Sequence, residues 1–201
     1  MQASADRLTG IADASVDVVT TRSVLIYVAD KAAAFGEFRR VLRPGGRISS
    51  HEPINRLMHG NRKLFMGYDI QPVADIAAKA ESRFAAIQPA GTDPMLDFDD
   101  RDLVRLAEQA GFANVQLDLR VTVTSSRSPL PWDRFLRSSP NPKVPPIGEL
   151  LADALTTAEL AAFTAHLRPL VESGRGEHRR ALAYLTARDR TGQPSPAGPP
   201  G

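Results

Sequence analysis

The chain has 201 residues, of which 24% are charged, and a formal net charge of +2. This length suffices for a domain with a real core. The balanced charge, with no segment that concentrates lysine and arginine on one face or tail, argues against a nucleic-acid partner. The absence of cysteine excludes disulfides and thiolate metal sites, and no apolar run approaches the roughly 20 residues of a membrane span. We therefore expect a cytoplasmic protein without a membrane partner.

The first predicted unit is a strand, a helix and a second strand. Residues 16–20 are short and β-branched, which is typical of a buried strand. Asp30 is a cap for a helix over residues 31–42, where apolar side chains recur at helical spacing. Pro44-Gly45-Gly46 is expected to end the helix and turn the chain into a strand at residues 47–50. This order predicts a βαβ unit in which the two strands are parallel neighbours.

The later elements are predicted from capping residues, glycines and alternation. They are a helix over 73–84, a helix between the capping segment 97–99 and Gly111, a strand over 115–124, a helix over 157–172 and a strand over 181–187. The expected fold is an α/β domain over residues 1–190, with a mostly parallel sheet of four or five strands and an antiparallel edge. The Pro/Gly-rich residues 191–201 are expected to be a disordered tail.

Three segments, taken together, carry a family resemblance. They are DASVDVV at residues 13–19, SVLIYV at 23–28 and FRRVLRPGGR at 38–47. This combination resembles the middle of a class I S-adenosylmethionine-dependent methyltransferase of the small-molecule type, over about residues 4–55. The resemblance implies a Rossmann-like sheet, S-adenosylmethionine as the cofactor and a small organic molecule as the methyl acceptor.

The resemblance also implies which residues serve the cofactor. The loop of Ser4, Ala5 and Asp6 stands where the family reads the adenine edge, and relatives often carry an acid at the position of Ser4. Arg22 and Ser23, at the end of the first predicted strand, stand beside the methionine half of the cofactor and its sulfonium. Two plainer interpretations stay open, namely that Asp6 is a solvated turn residue and Arg22 a surface cation.

Two residues are candidates for catalysis, with Glu52 as a further acceptor-binding candidate. Tyr27 stands where many relatives have histidine, at the mouth of the acceptor pocket, although a half-buried core aromatic is the simpler interpretation. His51 lies in a predicted carboxyl-end loop, where an imidazole can take a proton from an acceptor; a locally hydrogen-bonded loop residue is the alternative. The sequence from His51 to Asn55 resembles half of a zinc motif. It lacks the second histidine, and Pro53 opposes a helix, so we predict no metal site.

The family's opening elements are not found in the sequence. No glycine-rich G-x-G turn follows a predicted strand, and no acid stands where the family holds the ribose. We therefore expect a sheet that lacks its first three strands, in an N-terminally truncated enzyme impaired on its own. A non-catalytic binding or regulatory module is the alternative, and a nicotinamide-dependent dehydrogenase is disfavoured because its fingerprint is also missing. The strand at 16–20 would be an open edge, through which the chain is expected to self-associate.

Overall fold

The computed structural model describes residues 2–57 and 63–189, which form two compact units. Within the described residues, unit 1 comprises three segments, 2–56, 94–120 and 181–189. Unit 2 comprises residue 57 and the segments 63–93 and 121–180. The tail predicted at residues 191–201 lies outside the described residues.

The described residues contain six strands and six α-helices. The strands are β1 (Val16–Arg22), β2 (Leu42–Pro53), β3 (Leu64–Phe65), β4 (Tyr68–Asp69), β5 (Phe112–Thr124) and β6 (His178–Asp189). The helices are α1 (Lys31–Val41), α2 (Ala74–Ile87), α3 (Asp100–Gln109), α4 (Trp132–Arg137), α5 (Ile147–Ala154) and α6 (Thr157–Ser173). The α/β class and every strand and helix predicted from the sequence are confirmed.

Four strands form the main sheet, in the order β1-β2-β6-β5. β1 and β2 pair in parallel, with Val19 beside Ile48 and Thr21 beside Ser50, so the predicted βαβ unit is confirmed. β6 is antiparallel to β2. β6 lies between β2 and β5, so this antiparallel strand is inside the sheet and β5 forms the edge.

The Pro44-Gly45-Gly46 segment follows the end of α1 at Val41, as predicted. It lies within β2, in an irregularity where the partner of Val16 is Leu42 but the partner of Val18 is Arg47. The extra residues of β2 bulge out of the ladder, which is a recognised role of glycine in strands. Gly45 has a φ of +79°, a conformation that glycine adopts without strain.

One face of this sheet packs on α1, and the reason is visible in the helix sequence. The Asp30 carboxylate accepts a hydrogen bond from the Ala33 amide at 2.8 Å, which caps the first turn. Ala34, Phe35, Phe38 and Val41 are then buried at helical spacing. Phe35 meets Phe38 and Phe112 edge to face, with ring centroids 5.9 and 6.5 Å apart, and these aromatic contacts form the centre of the unit 1 core.

Unit 2 has its own core of helices around a small hairpin. β3 and β4 pair antiparallel, and Phe65 on β3 meets Phe163 on α6 edge to face at 5.4 Å. Helix α6 begins at a capping box formed by Thr156 and Glu159. The buried residues of this core are Phe65, Tyr68, Ile70, Ala77, Ala80, Trp132, Phe135, Val144, Ile147, Leu150, Leu151, Leu155, Phe163, Leu167 and Val171.

None of the helices in the described ranges combines the length and apolar character needed to cross a bilayer.

Candidate active site

Side chains from four strands of unit 1 lie in one row near the carboxyl ends of β1 and β2. Arg22 on β1 pairs with His51 on β2, and His51 pairs with Tyr184 on β6. The His51 and Tyr184 rings meet edge to face with their centroids 4.9 Å apart. The guanidinium of Arg120, on β5, lies 5.3 Å from the centre of the Tyr184 ring. We call Arg22, His51, Tyr184 and Arg120 the cross-sheet row.

The row lies on the solvent-facing side of the sheet. Directly paired residues on neighbouring strands share a face, and the other face is buried, as Ile48 and Leu185 show. Arg22 and Arg120 are exposed and Tyr184 is 36% exposed, so a ligand can reach all three. The Nδ1 atom of His51 is enclosed and has no hydrogen-bond partner among the described residues. Its other ring nitrogen, Nε2, is therefore the one able to exchange a proton with a ligand.

The loop that leaves β1 is held from β2. The Ser23 amide donates to the His51 carbonyl at 2.8 Å, and Ser23 has a φ of 52°, an uncommon value outside glycine. The Val24 amide donates to Oε1 of Glu52 at 3.1 Å. These two bonds fix Ser23 beside the end of the cross-sheet row.

Glu52 is fully buried, so the interpretation that it contacts an acceptor is wrong. Its side chain lies on the face opposite to His51, because successive strand residues alternate. Burial raises the pKa of the Glu52 carboxyl, and the amides of Val24, Leu25 and Ile26 oppose that rise. Its Oε2 atom has no partner among the described residues. Glu52 therefore stabilises the loop that leaves β1, which we call the β1 exit loop, from the buried face of the sheet. It is not part of the ligand surface.

The predicted adenine loop is a tight turn, closed by the Arg7 amide, which donates to the Ser4 carbonyl at 3.0 Å. Ser4 is exposed, and Ala5 and Asp6 are half-buried. The segment that follows is fixed by α1, since the Leu8 amide donates to Glu37 at 2.7 Å. The hydrogen bond from Arg40 lowers the pKa of Glu37 to about 2, and Arg40 also donates to the Ile11 carbonyl at 2.9 Å.

The structure brings some of the predicted site residues together and leaves others apart. Arg22, Ser23 and His51 are neighbours through direct strand pairing and the Ser23 amide bond. Tyr27 is 50% exposed at the end of a single 3₁₀ turn over Leu25–Tyr27. His51 lies in a strand and not in a loop, and its alternation with Glu52 is unlike the helical spacing of the zinc motif.

Comparison with known proteins identifies the first segment. Residues 1–50 match the model of the family described as methyltransferase domain. A demethylmenaquinone methyltransferase from Staphylococcus haemolyticus is 31% identical over 109 residues, which cover 52% of this chain and 44% of that protein. Residues 1–50 of the chain are therefore similar to the methyltransferase-domain family. S-adenosylmethionine is the cofactor of that family.

Two further similarities accompany the methyltransferase match. An uncharacterized 37.1 kDa protein in transposon TN4556 of Streptomyces fradiae is 56% identical over 41 residues, which cover 20% of this chain and 12% of that protein. The chain thus covers less than half the length of either curated relative. Among solved structures, the YcgJ protein from Bacillus subtilis superposes with a TM-score of 0.48 and 14% identity, over 96% of this chain and 71% of that one.

Sequence reasoning missed half of the cross-sheet row, namely Tyr184 and Arg120. It also missed a concentration of arginine, because Arg47 and Arg188 pair directly on the same face as Arg22 and Tyr184. The expectation that no face concentrates basic residues is therefore wrong. Arg22 and Arg120 lie 98 positions apart in sequence, so no local pattern signals their proximity. They share a row because of the strand order β1-β2-β6-β5 and the register of its strands.

Glu52→Gln is expected to make the stability difference from the native chain depend on pH. Below the usual carboxyl pKa of 4.5 the native residue is protonated in both states and contributes no penalty. As pH rises from 4.5 through the raised pKa of the folded state, the unfolded state ionises first and native stability falls. The glutamine variant does not lose stability in this way. Its free energy of unfolding minus that of the native chain, measured by urea denaturation, should therefore increase from pH 4.5 to pH 8.

The control for that experiment is Glu52→Ala, which removes the acceptor for Val24 and leaves a cavity. It should destabilise the chain at every pH tested. A glutamine-minus-native difference that stays constant or falls with rising pH would show that burial does not govern the ionisation of Glu52.

Proposed function

We propose that this chain transfers a methyl group from S-adenosylmethionine to a small organic acceptor. The observation that carries the proposal is the methyltransferase-domain match over residues 1–50, which contains β1, α1 and most of β2. Bound S-adenosylmethionine supplies a methyl group already activated by its sulfonium. The protein then has to orient the donor and the acceptor in line and, where the nucleophile needs it, remove a proton.

Each predicted site residue has a role in this proposal. The turn of Ser4, Ala5 and Asp6 binds the adenine edge, with half-buried Asp6 as the acid that accepts from the amino group. Arg22 and Ser23 bind the methionine half; the exposed guanidinium of Arg22 has no ion-pair partner among the described residues, so it fits a carboxylate.

The acceptor side of the proposed site lies across β2. His51 is placed to exchange the acceptor's proton through Nε2, one strand away from Arg22. Tyr27, half-exposed on the β1 exit loop, borders the acceptor. The Glu52 side chain lies on the opposite, buried face of the sheet, so His51 is the base in this proposal.

A non-catalytic binding module is the second candidate, favoured by one observation. The sequence contains no G-x-G turn after a strand and so offers few backbone amides for the cofactor. Loss of about three hydrogen bonds, each worth roughly 0.5–3 kcal/mol, weakens binding by about 3–6 kcal/mol. The 201-residue chain alone is therefore expected to bind the cofactor about two to four decades more weakly than a micromolar site.

Ligand-observed NMR with the full chain tests the proposal. S-adenosylmethionine and S-adenosylhomocysteine should bind in roughly the 0.1–10 mM range, and NADH should not bind. Arg22→Ala should weaken the binding of S-adenosylmethionine further. The control is Arg134→Ala, which removes an exposed arginine of α4 and should leave the binding unchanged. Transfer of label from the cofactor to an organic acceptor distinguishes the enzyme from the module. Equal binding of NADH and S-adenosylmethionine would contradict both.

A further inference from the structure

We infer that the β2–β6–β5 side of the cross-sheet row binds a carboxylate or phosphate group, and that the methyl acceptor is therefore an organic anion. This inference rests on the proposed function, in which Arg22 serves the donor. The residues assigned to the acceptor are His51, Tyr184 and Arg120. Nothing in the sequence motifs assigns the last two to any role.

The first argument is the position of the Arg120 guanidinium. It lies 5.3 Å from the centre of the Tyr184 ring, which orients it over the middle of the sheet rather than outward. In the described part of the chain it has no hydrogen bond or ion pair with an acid. A guanidinium that is positioned by a ring but not neutralised presents its donors to an anion.

The second argument is the spacing between donor and acceptor residues. Neighbouring strands lie about 4.8 Å apart, so Arg22 and His51 are adjacent and Arg120 is about 14 Å from Arg22 across three spacings. A small molecule whose anionic group meets Arg120 spans the Tyr184 ring. Its far end reaches His51, next to the proposed position of the donor.

The third argument is the charge of this face. Arg47 and Arg188 are directly opposite each other, an arrangement of like charges that is unfavourable in a sheet. One acid, Asp118, lies two residues from Arg120 on the same face of β5, and it forms no ion pair with another described residue. The positive charge around the row thus exceeds the negative charge and attracts an anion.

The test uses benzoate and phenyl phosphate as probes and benzamide as the uncharged match to benzoate, titrated into the full chain by ligand-observed NMR. We expect benzoate or phenyl phosphate to bind, and benzamide to bind about 10-fold more weakly. Arg120→Ala should weaken the anion by about 10-fold. Tyr184→Ala should weaken it similarly, whereas Tyr184→Phe, which keeps the ring beneath Arg120, should retain binding.

Arg188→Ala is the matched control, since it removes the same charge from the same face four residues from Tyr184 and so measures the diffuse attraction of that face alone. It should change the affinity by less than about 2-fold. An equal effect of Arg188→Ala and Arg120→Ala would indicate diffuse attraction and overturn the site, as would equal binding of benzoate and benzamide. Circular dichroism spectra of Tyr184→Phe and Arg120→Ala that match the native spectrum would show that both variants are folded. A change in affinity is then not caused by unfolding.

The carboxylate bound by the row could belong to the methyl acceptor or to S-adenosylmethionine, and competition with the cofactor distinguishes the two. Simultaneous binding of benzoate and S-adenosylmethionine supports an anionic acceptor. If benzoate displaces S-adenosylmethionine but not 5′-methylthioadenosine, which lacks the carboxylate, the row belongs to the cofactor and the assignment to the acceptor is overturned. If benzoate binds as expected but S-adenosylmethionine does not bind at all, the anion site stands and the proposed methyl transfer fails.

Discussion

Phe35→Ala is expected to lower the free energy of unfolding by about 3–5 kcal/mol, the usual cost of emptying a large buried aromatic site. Phe35 is fully buried and meets two other phenylalanine rings, so little can collapse into the space. Phe163→Ala is the counterpart in unit 2, where the ring is equally buried against Phe65. Urea denaturation followed by circular dichroism measures both losses.

The single tryptophan, Trp132, belongs to the unit 2 core and gives a second signal. The urea concentration at the midpoint of unfolding, followed by Trp132 fluorescence, should fall more in Phe163→Ala than in Phe35→Ala. Phe35→Leu, which keeps most of the volume, should cost less than either alanine variant. A loss below about 1 kcal/mol in Phe35→Ala would show that the aromatic centre of unit 1 is not closely packed.

Self-association through β1 is the second large effect that we expect. β1 is an end strand of the sheet, with one row of backbone groups unpaired in the described structure, and Val18 on it is 39% exposed. Light scattering of the full chain should therefore give a mass above the 21.8 kDa of one chain. Val18→Lys, which places a charge on the edge, should shift the mass towards the monomer.

Leu119→Lys provides the matched control on the opposite edge. Leu119 is 37% exposed on β5, the other end strand. If Leu119→Lys disperses the assembly and Val18→Lys does not, association runs through β5. A native chain that scatters as a monomer would contradict association through either edge.

Local signals sufficed for the βαβ unit and the capped helices. Asp30, Asp99 and Thr156 each cap a helix through bonds to amides two or three residues away, which sequence spacing can predict. The β3–β4 hairpin had no such signal. Its turn residues Met66 and Gly67 both have a positive φ, at 50° and 89°. Methionine is not typical of this conformation, so the sequence does not predict the turn.

In the candidate site, too, some residues are predicted by a local sequence pattern and others depend on the strand order. Arg22 and Ser23 were predicted from the segment around them, and Ser23 and His51 are joined by a single amide bond between adjacent strands. Tyr184 and Arg120 were missed because their place depends on strand order, which is decided by packing across the whole unit. The burial of Glu52 was missed for a related reason. A carboxylate beside a histidine suggests exposure until the strand alternation is known.

The position of β6 between β2 and β5 bears on how the nascent chain acquires its fold on the ribosome. Domains fold as their residues emerge, but β2 is complete at Pro53 and its neighbour β6 begins only at His178. Until β6 has been synthesised, β2 and β5 therefore lack the strand that joins them. We expect the sheet to close late, through contacts distant in sequence, and the unfinished chain to depend on chaperones that shield open strands.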